Sequence, residues 1–298
     1  MRPIPFPRSL IFFSLAFLFL ACPRPSLANP LHSKSIGGQE DSTDRAKGPH
    51  IWVRLVCEQT FFNIKQTSII GVFFMMEKGW HVYWKNPGDS GQAPSVKWVL
   101  PKGFKAGDLM WPLPERIHIP SLTDFGYRDQ VVLMAPLEVP AGLKIGSAVT
   151  LKAEVNWLVC KDICVPGHAV LNLRVPVQKG VPKVPFKDVT LFSWGHASQA
   201  DPLPGDWTSK GNATKDGFEL GFTTGSQKIS KADFFPLDPD VLDNETDPVF
   251  RGGWGPSFGL KLKKSDQLLK TPASLRGLLV VVNDKGRKAG YWADLPLK

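Results

Sequence analysis

Proline and glycine, 27 of each in 298 residues, punctuate this chain at short intervals, and no long amphipathic helix pattern falls between them. What survives is a series of strand-length apolar runs. Ile51, Val53, Leu55 and Cys57 alternate with Trp52, Arg54, Val56 and Glu58, and further runs cover 69–76, 96–100, 130–139, 149–159 and 169–177. Short strands bounded by turn residues predict an all-β chain and a β-sandwich, because each strand must bury one face against a second sheet. Residues 178–187 mix two valines, two prolines and three lysines without a strand period and read as a boundary. Beyond it, runs at 218–223, 258–262, 278–282 and 290–295 predict a second β domain, so the expected division is 49–180 and 185–298.

The first residues address the compartment. Arg2 and Arg8 precede an apolar run at 10–21, and Ser26 and Ala28 supply small residues for cleavage, which predicts a signal peptide over 1–28 and Asn29 as the mature N-terminus. The run is shorter than the roughly 20 residues that span a bilayer, so the expectation is an exported, periplasmic protein, soluble after cleavage. Cys22 ends the run, but Phe19, Leu20 and Ala21 match a lipidation signal poorly. Residues 29–48 are polar and aperiodic and read as a flexible leader, with order beginning near Ile51.

Charge excludes rather than assigns. Removing Arg2, Arg8 and Arg24 leaves 33 basic against 27 acidic residues, a net +6 spread along the chain. Lys261, Lys263 and Lys264 form the densest cluster in an alternating strand and read as a solvated face, with no nucleic-acid partner expected. The chain lacks G-x-S-x-G and any strand-linked G-x-G-x-x-G, and the glycine-rich 251–255 reads as a loop.

The chemistry concentrates in 157–168, where Cys160 and Cys164 stand four apart. Along one strand such residues lie roughly 13 Å from each other at about 3.3 Å per residue, too far for a disulfide. If Lys161, Asp162 and Ile163 form a hairpin loop, the two cysteines face each other with Cα atoms about 4.5–5.5 Å apart, which permits one. That register sets Val159 opposite Val165, Val155 opposite Ala169, Ala153 opposite Leu171 and Leu151 opposite Leu173 on a uniformly apolar face. Leu158 then meets Pro166, Asn156 meets His168, Glu154 meets Val170 and Lys152 meets Asn172. The cysteines share this second, more polar face and are expected to be reachable. A one-residue slip would exchange the faces, so the clean partition supports the register. Cys57 lies on the apolar face of its own strand and is expected to be buried and inert.

A structural disulfide is common in exported proteins, yet a crosslink closing so short a loop removes little unfolded-state entropy. Lys161 and His168 favour a thiolate here and Asp162 opposes it. The residues alone therefore leave a redox pair and a structural bridge both open. They also admit copper binding by Cys160, Cys164 and His168, since thiolate and imidazole suit that metal, although His168 lies two pairs along the hairpin.

Two segments resemble a known family. One runs Gly79-Trp80-His81-Val82-Tyr83-Trp84-Lys85-Asn86-Pro87-Gly88-Asp89-Ser90-Gly91, followed by Trp111-Pro112 and Phe125-Gly126-Tyr127; the other holds Trp157-Leu158-Val159-Cys160 and Cys164-Val165-Pro166-Gly167. Together they resemble the N-terminal periplasmic domain of the thiol:disulfide interchange protein DsbD, especially its ScsB-like branch. The resemblance implies an immunoglobulin-like sandwich and catalytic roles for Cys160 and Cys164, with Cys164 engaging partners and Cys160 resolving. It implies no cofactor. The implied partners are a membrane thiol transporter or thioredoxin-like protein as electron source and oxidised periplasmic proteins as recipients. The usual DsbD chain continues into membrane helices and a thioredoxin-like domain, whereas this sequence ends at Lys298, so the expected reductant is a separate chain. In the family a mobile cap shields the pair, but no cap residue is assigned here. Trp80, Tyr83 and Trp84 are expected to fill a core, and 87–91 to form a turn.

Overall fold

The computed structural model describes residues 43–252 and 255–298. The expected signal peptide, its cleavage site, Cys22 and residues 29–42 of the expected leader lie outside the described residues, as do Gly253 and Trp254 of the expected loop. The described residues belong to one compact unit.

Eleven strands build the first sandwich. They are β1 (Arg45–Gly48), β2 (Ile51–Cys57), β3 (Thr67–Met76), β4 (His81–Gly88), β5 (Ser95–Val99), β6 (Lys105–Ala106), β7 (Glu115–Ile119), β8 (Leu122–Arg128), β9 (Gln130–Glu138), β10 (Ala148–Cys160) and β11 (Cys164–Pro176). One sheet has the order β1-β2-β3-β9-β6 and the other β11-β10-β4-β8-β7, with β5 also paired to β10. The core between them takes the inward positions of the alternating runs, among them Ile51, Val53, Leu55, Val72, Phe74, Val155 and Leu171. Each such fully buried side chain contributes about 1.5–3 kcal/mol. Order begins at β1, earlier than the expected Ile51: Arg45–Gly48 has no apolar run to announce it and is held as an edge strand by backbone pairing to β2.

Val56 points away from this core yet is also buried, because α1 (Val189–Ala197) lies over it and sets Phe192 beside Val132 and Met134. Arg54 Nη2 donates to Asp188 Oδ1 at 2.6 Å just ahead of that helix.

The second sandwich comprises β12 (Asp201–Pro202), β13 (Thr208–Ala213), β14 (Gly217–Thr223), β15 (Ile229–Pro236), β16 (Val249–Arg251), β17 (Ser257–Lys263), β18 (Ser274–Asn283) and β19 (Lys288–Pro296). Its sheets run β12-β19-β18-β15 and β13-β14-β17-β16, around a core that includes Phe218, Phe234, Leu260 and Leu279. The fold is all-β and immunoglobulin-like. Trp84 and Phe125 of the first sandwich pack on Phe235 of the second, and Trp84 stacks on Trp292 at 6.3 Å between ring centroids. Arg116 crosses the same boundary, donating to Asp233 and to the Phe234 and Asn244 carbonyls while its guanidinium lies over Phe125 and Phe235. Among the described residues no helix is long and apolar enough to cross a membrane.

Candidate functional site

The β10–β11 hairpin has the register the residue pattern requires, from Ala148↔Pro176 to Cys160↔Cys164, with Lys161, Asp162 and Ile163 as its loop. Cys160 and Cys164 are joined as a disulfide with Cα atoms 4.2 Å apart, slightly closer than expected. On the inner face Leu151, Ala153, Val155 and Val159 are fully buried. The shared outer face does not make the two sulfurs equivalent, contrary to the expectation that both are reachable. Cys160 is 2% exposed, whereas Cys164 belongs to the exposed residues. The difference comes from the neighbouring strand: β10 pairs with β4 at Cys160↔His81, so Cys160 is interior to the sheet while Cys164 starts an edge strand.

Register then carries the site outward. Across β11, β10, β4 and β8 one row reads Cys164, Cys160, His81 and Arg128, and Tyr83 stands opposite Gly126 two residues further along. His81 and Tyr83 lie edge to face at 5.1 Å. The Tyr83 hydroxyl is 3.4 Å from Cys164 Sγ. A disulfide sulfur carries no hydrogen, so the tyrosine is the donor. Burial pushes the Tyr83 hydroxyl up to about 12, so it keeps its proton throughout the physiological range. His81 Nε2 is 3.2 Å from Asp124 Oδ2, both side chains being buried, and Asp124 Oδ1 accepts from Ser90 N and Ser90 Oγ at 3.1 and 2.8 Å.

The loop after β4 covers Tyr83. Gly91 has φ +76°, and a Cβ there would lie 2.0 Å from Tyr83 Cζ, so the backbone rests on the ring where no side chain fits. The expected core role of the aromatics holds for Trp84, which is fully buried in the core. It holds for Tyr83 too, which is equally buried and also borders the disulfide, while Trp80 is partly buried against that core and stacks on His50 at 3.8 Å. His81, Tyr83, Ser90 and Asp124 stand around the disulfide and were not singled out as site residues from the sequence. The glycine-bounded 79–91 segment carries the first three, whereas Asp124 lies outside it and had no signal of its own.

His168 does not join the cysteines. Its Nδ1 lies 2.9 Å from Asn156 Oδ1, its cross-strand neighbour. Among the described residues no three His, Cys, Asp or Glu side chains cluster as a metal site. Cys57 is free and buried, 3.5 Å from Ser68 Oγ; burial pushes its thiol up more than that hydrogen bond lowers it. In native oxidised protein Cys57 is expected to stay unalkylated at pH 8 while unfolded protein reacts fully, read by peptide mass. Rapid native labelling would contradict that burial.

The family described as thiol:disulfide interchange protein DsbD, N-terminal, matches residues 54–176. No curated protein matches the chain. Among solved structures, the N-terminal periplasmic domain of ScsB from Proteus mirabilis is similar at 16% identity and a TM-score of 0.63, covering 86% of this chain and 98% of that one. A protein of unknown function from Porphyromonas gingivalis W83 aligns at 12% identity over 82% of this chain and 99% of its own, with a TM-score of 0.24 that carries no argument. The ScsB likeness shows a shared fold that extends beyond residue 176 into the second sandwich.

Proposed function

We propose, from the premise that residues 54–176 form a DsbD N-terminal domain, that this protein relays electrons in the periplasm through Cys160 and Cys164. The source would be a membrane-embedded thiol transporter or a thioredoxin-like protein, and the recipients oxidised envelope proteins. The family supports thiol:disulfide exchange in general; the proposal adds the relay, its partners, the catalytic roles of the two cysteines and a division of the chain into functional domains at 49–180 and 185–298. The observation that carries it is the asymmetry of the pair, one exposed cysteine whose sulfur is touched by a hydroxyl donor and one buried cysteine behind it.

The step balances without a cofactor. A thiolate of the reductant attacks Cys164 Sγ; the Cys160–Cys164 bond breaks as a mixed disulfide forms, and Cys160 leaves as a thiolate. A second thiolate of the reductant then attacks its own sulfur in that mixed disulfide and releases Cys164, so two electrons pass to the pair and the reductant is oxidised to a disulfide. Delivery runs the same steps in reverse upon a client disulfide, with Cys164 attacking and Cys160 resolving. Tyr83, held protonated, donates to Cys164 whenever that sulfur carries negative charge.

Equilibration against glutathione buffers tests the reading. The expected potential lies above about −300 mV, the region of exchanging disulfides, and a value well below it would mark a structural bridge. Replacing the donor has a signed pH consequence. In reduced Cys160→Ser protein, the additional Tyr83→Phe change is expected to raise the pH midpoint of Cys164 alkylation by about one unit, since a lost hydrogen bond to the thiolate disfavours the charged form. An unmoved midpoint would remove Tyr83 from the chemistry.

A further inference from the structure

We propose that the second sandwich sets the geometry around Cys164 through the loop at 89–91, with Asn244 and Asp89 as positioning residues; the proposal rests on the exchange reading above. Asn244 lies between β15 and β16 and is 7% exposed. Its Nδ2 donates to Asp89 Oδ1 at 2.8 Å, and its carbonyl is held in turn by Arg116 Nη1 at 3.1 Å. Asp89 divides its carboxylate between the two sandwiches, since Oδ2 accepts from Thr123 N at 2.8 Å while Oδ1 takes Asn244. The next residue, Ser90, is fastened by N and Oγ to Asp124, whose other oxygen meets His81. The residue after that, Gly91, rests on the Tyr83 ring. Tyr83 in turn touches Cys164 Sγ.

A second tie enters from the other side of the same turn. Asn86 is 3% exposed, and its Nδ2 donates to the carbonyls of Pro236 at 2.9 Å and Asp238 at 3.4 Å, both in the second sandwich. Its Oδ1 accepts from Gly88 N at 3.1 Å. The turn that carries Ser90 and Gly91 is thus pinned on both flanks by groups some 150 residues later in sequence. A loop so fixed restricts the positions open to Tyr83, and the hydroxyl is held where it meets Cys164 at little entropic cost when charge develops there. The first sandwich supplies the reacting sulfurs, and the second supplies the fixed frame for the donor.

The test uses the full chain, reduced, in a Cys160→Ser background that leaves Cys164 as the reactive thiol. The titratable groups arranged around it are Lys161 and Asp162 in the hairpin loop, His81 and Tyr83 on β4, and Asp124 and Arg128 on β8. The readout is the pH midpoint of iodoacetamide alkylation at Cys164. Asn244→Ala is expected to raise it in the same direction as Tyr83→Phe, with about a threefold loss of thiolate below the midpoint. Combined with Tyr83→Phe it adds nothing further, because both act through one donor. The exchanged pair Asp89→Asn with Asn244→Asp keeps an acceptor for Thr123 N and a donor–acceptor contact across the boundary, so it restores the wild-type midpoint. An Asn244→Ala midpoint equal to wild type, full additivity with Tyr83→Phe, or failure of the exchanged pair to restore would each overturn the proposal. The readout belongs to the Cys164 thiol alone, so such a failure leaves the exchange reading, tested by potential, standing.

Discussion

A Cys160→Ser variant is expected to accumulate a covalent, reductant-sensitive complex with its redox partners through Cys164, while Cys164→Ser accumulates at least about tenfold less. Exchange requires an attacking thiolate to approach along the S–S axis, which needs open space behind the sulfur attacked. Cys164 is exposed at the start of an edge strand, and Cys160 is 2% exposed beneath its pairing with His81. In the proposed relay, either direction of electron flow would therefore pass through a mixed disulfide on Cys164. Removing Cys160 takes away the resolving thiol and leaves the mixed disulfide without an internal route to collapse. Removing Cys164 leaves a buried thiol that a folded partner cannot reach. Immunoblots of envelope extracts run with and without reductant check the outcome. Equal trapping by both variants would refute the order while preserving exchange, and absence of trapping by either, with a potential below about −300 mV, would leave a structural bridge.

The second large effect falls far from the sulfurs. Trp84→Ala is expected to destabilise the protein by about 3–5 kcal/mol in urea denaturation, the range for deleting a large buried aromatic. Trp84 is fully buried and packs against Phe235 and Trp292 of the second sandwich, so its removal opens a cavity where the two bodies meet. Its indole Nε1 has no hydrogen-bond partner, and losing that unsatisfied donor moves the expected cost toward the lower end of the range. Trp52→Ala is the matched control: that indole is 43% exposed on the outer face of β2, and its loss is expected to cost within about 0.5 kcal/mol. Similar costs for the two variants would contradict the packing described.

Much of the first sandwich was legible because a strand's side chains alternate between faces. The runs at 69–76, 130–139 and 149–159 became β3, β9 and β10 within a residue or two at each end. The strands that escaped notice lacked that alternation. β4 contains buried residues at four consecutive positions, His81, Val82, Tyr83 and Trp84, because its outer face is covered by the loop that carries Gly91. β1 and β13 are exposed edge strands held by backbone pairing, which leaves no apolar pattern to read.

The amino-acid sequence by itself determined the Cys160/Cys164 hairpin. Four-residue spacing forces a turn, and the partition of 151–159 against 165–173 into an apolar and a polar face admits one register, which the structure has. Only the tertiary structure decided which sulfur is open and what stands beside it. Face assignment is local, with a period of two residues, whereas exposure depends on what the rest of the chain lays over that face. At Cys160 the cover is β4, about 80 residues earlier. At Tyr83 it is the loop fastened to Asp124 by Ser90 and to the second sandwich by Asp89. Those two loop contacts join residues separated by 34 to 155 positions through one or two hydrogen bonds. Such bonds leave no periodic trace in the sequence, because each depends on one donor meeting one acceptor after both sandwiches have packed.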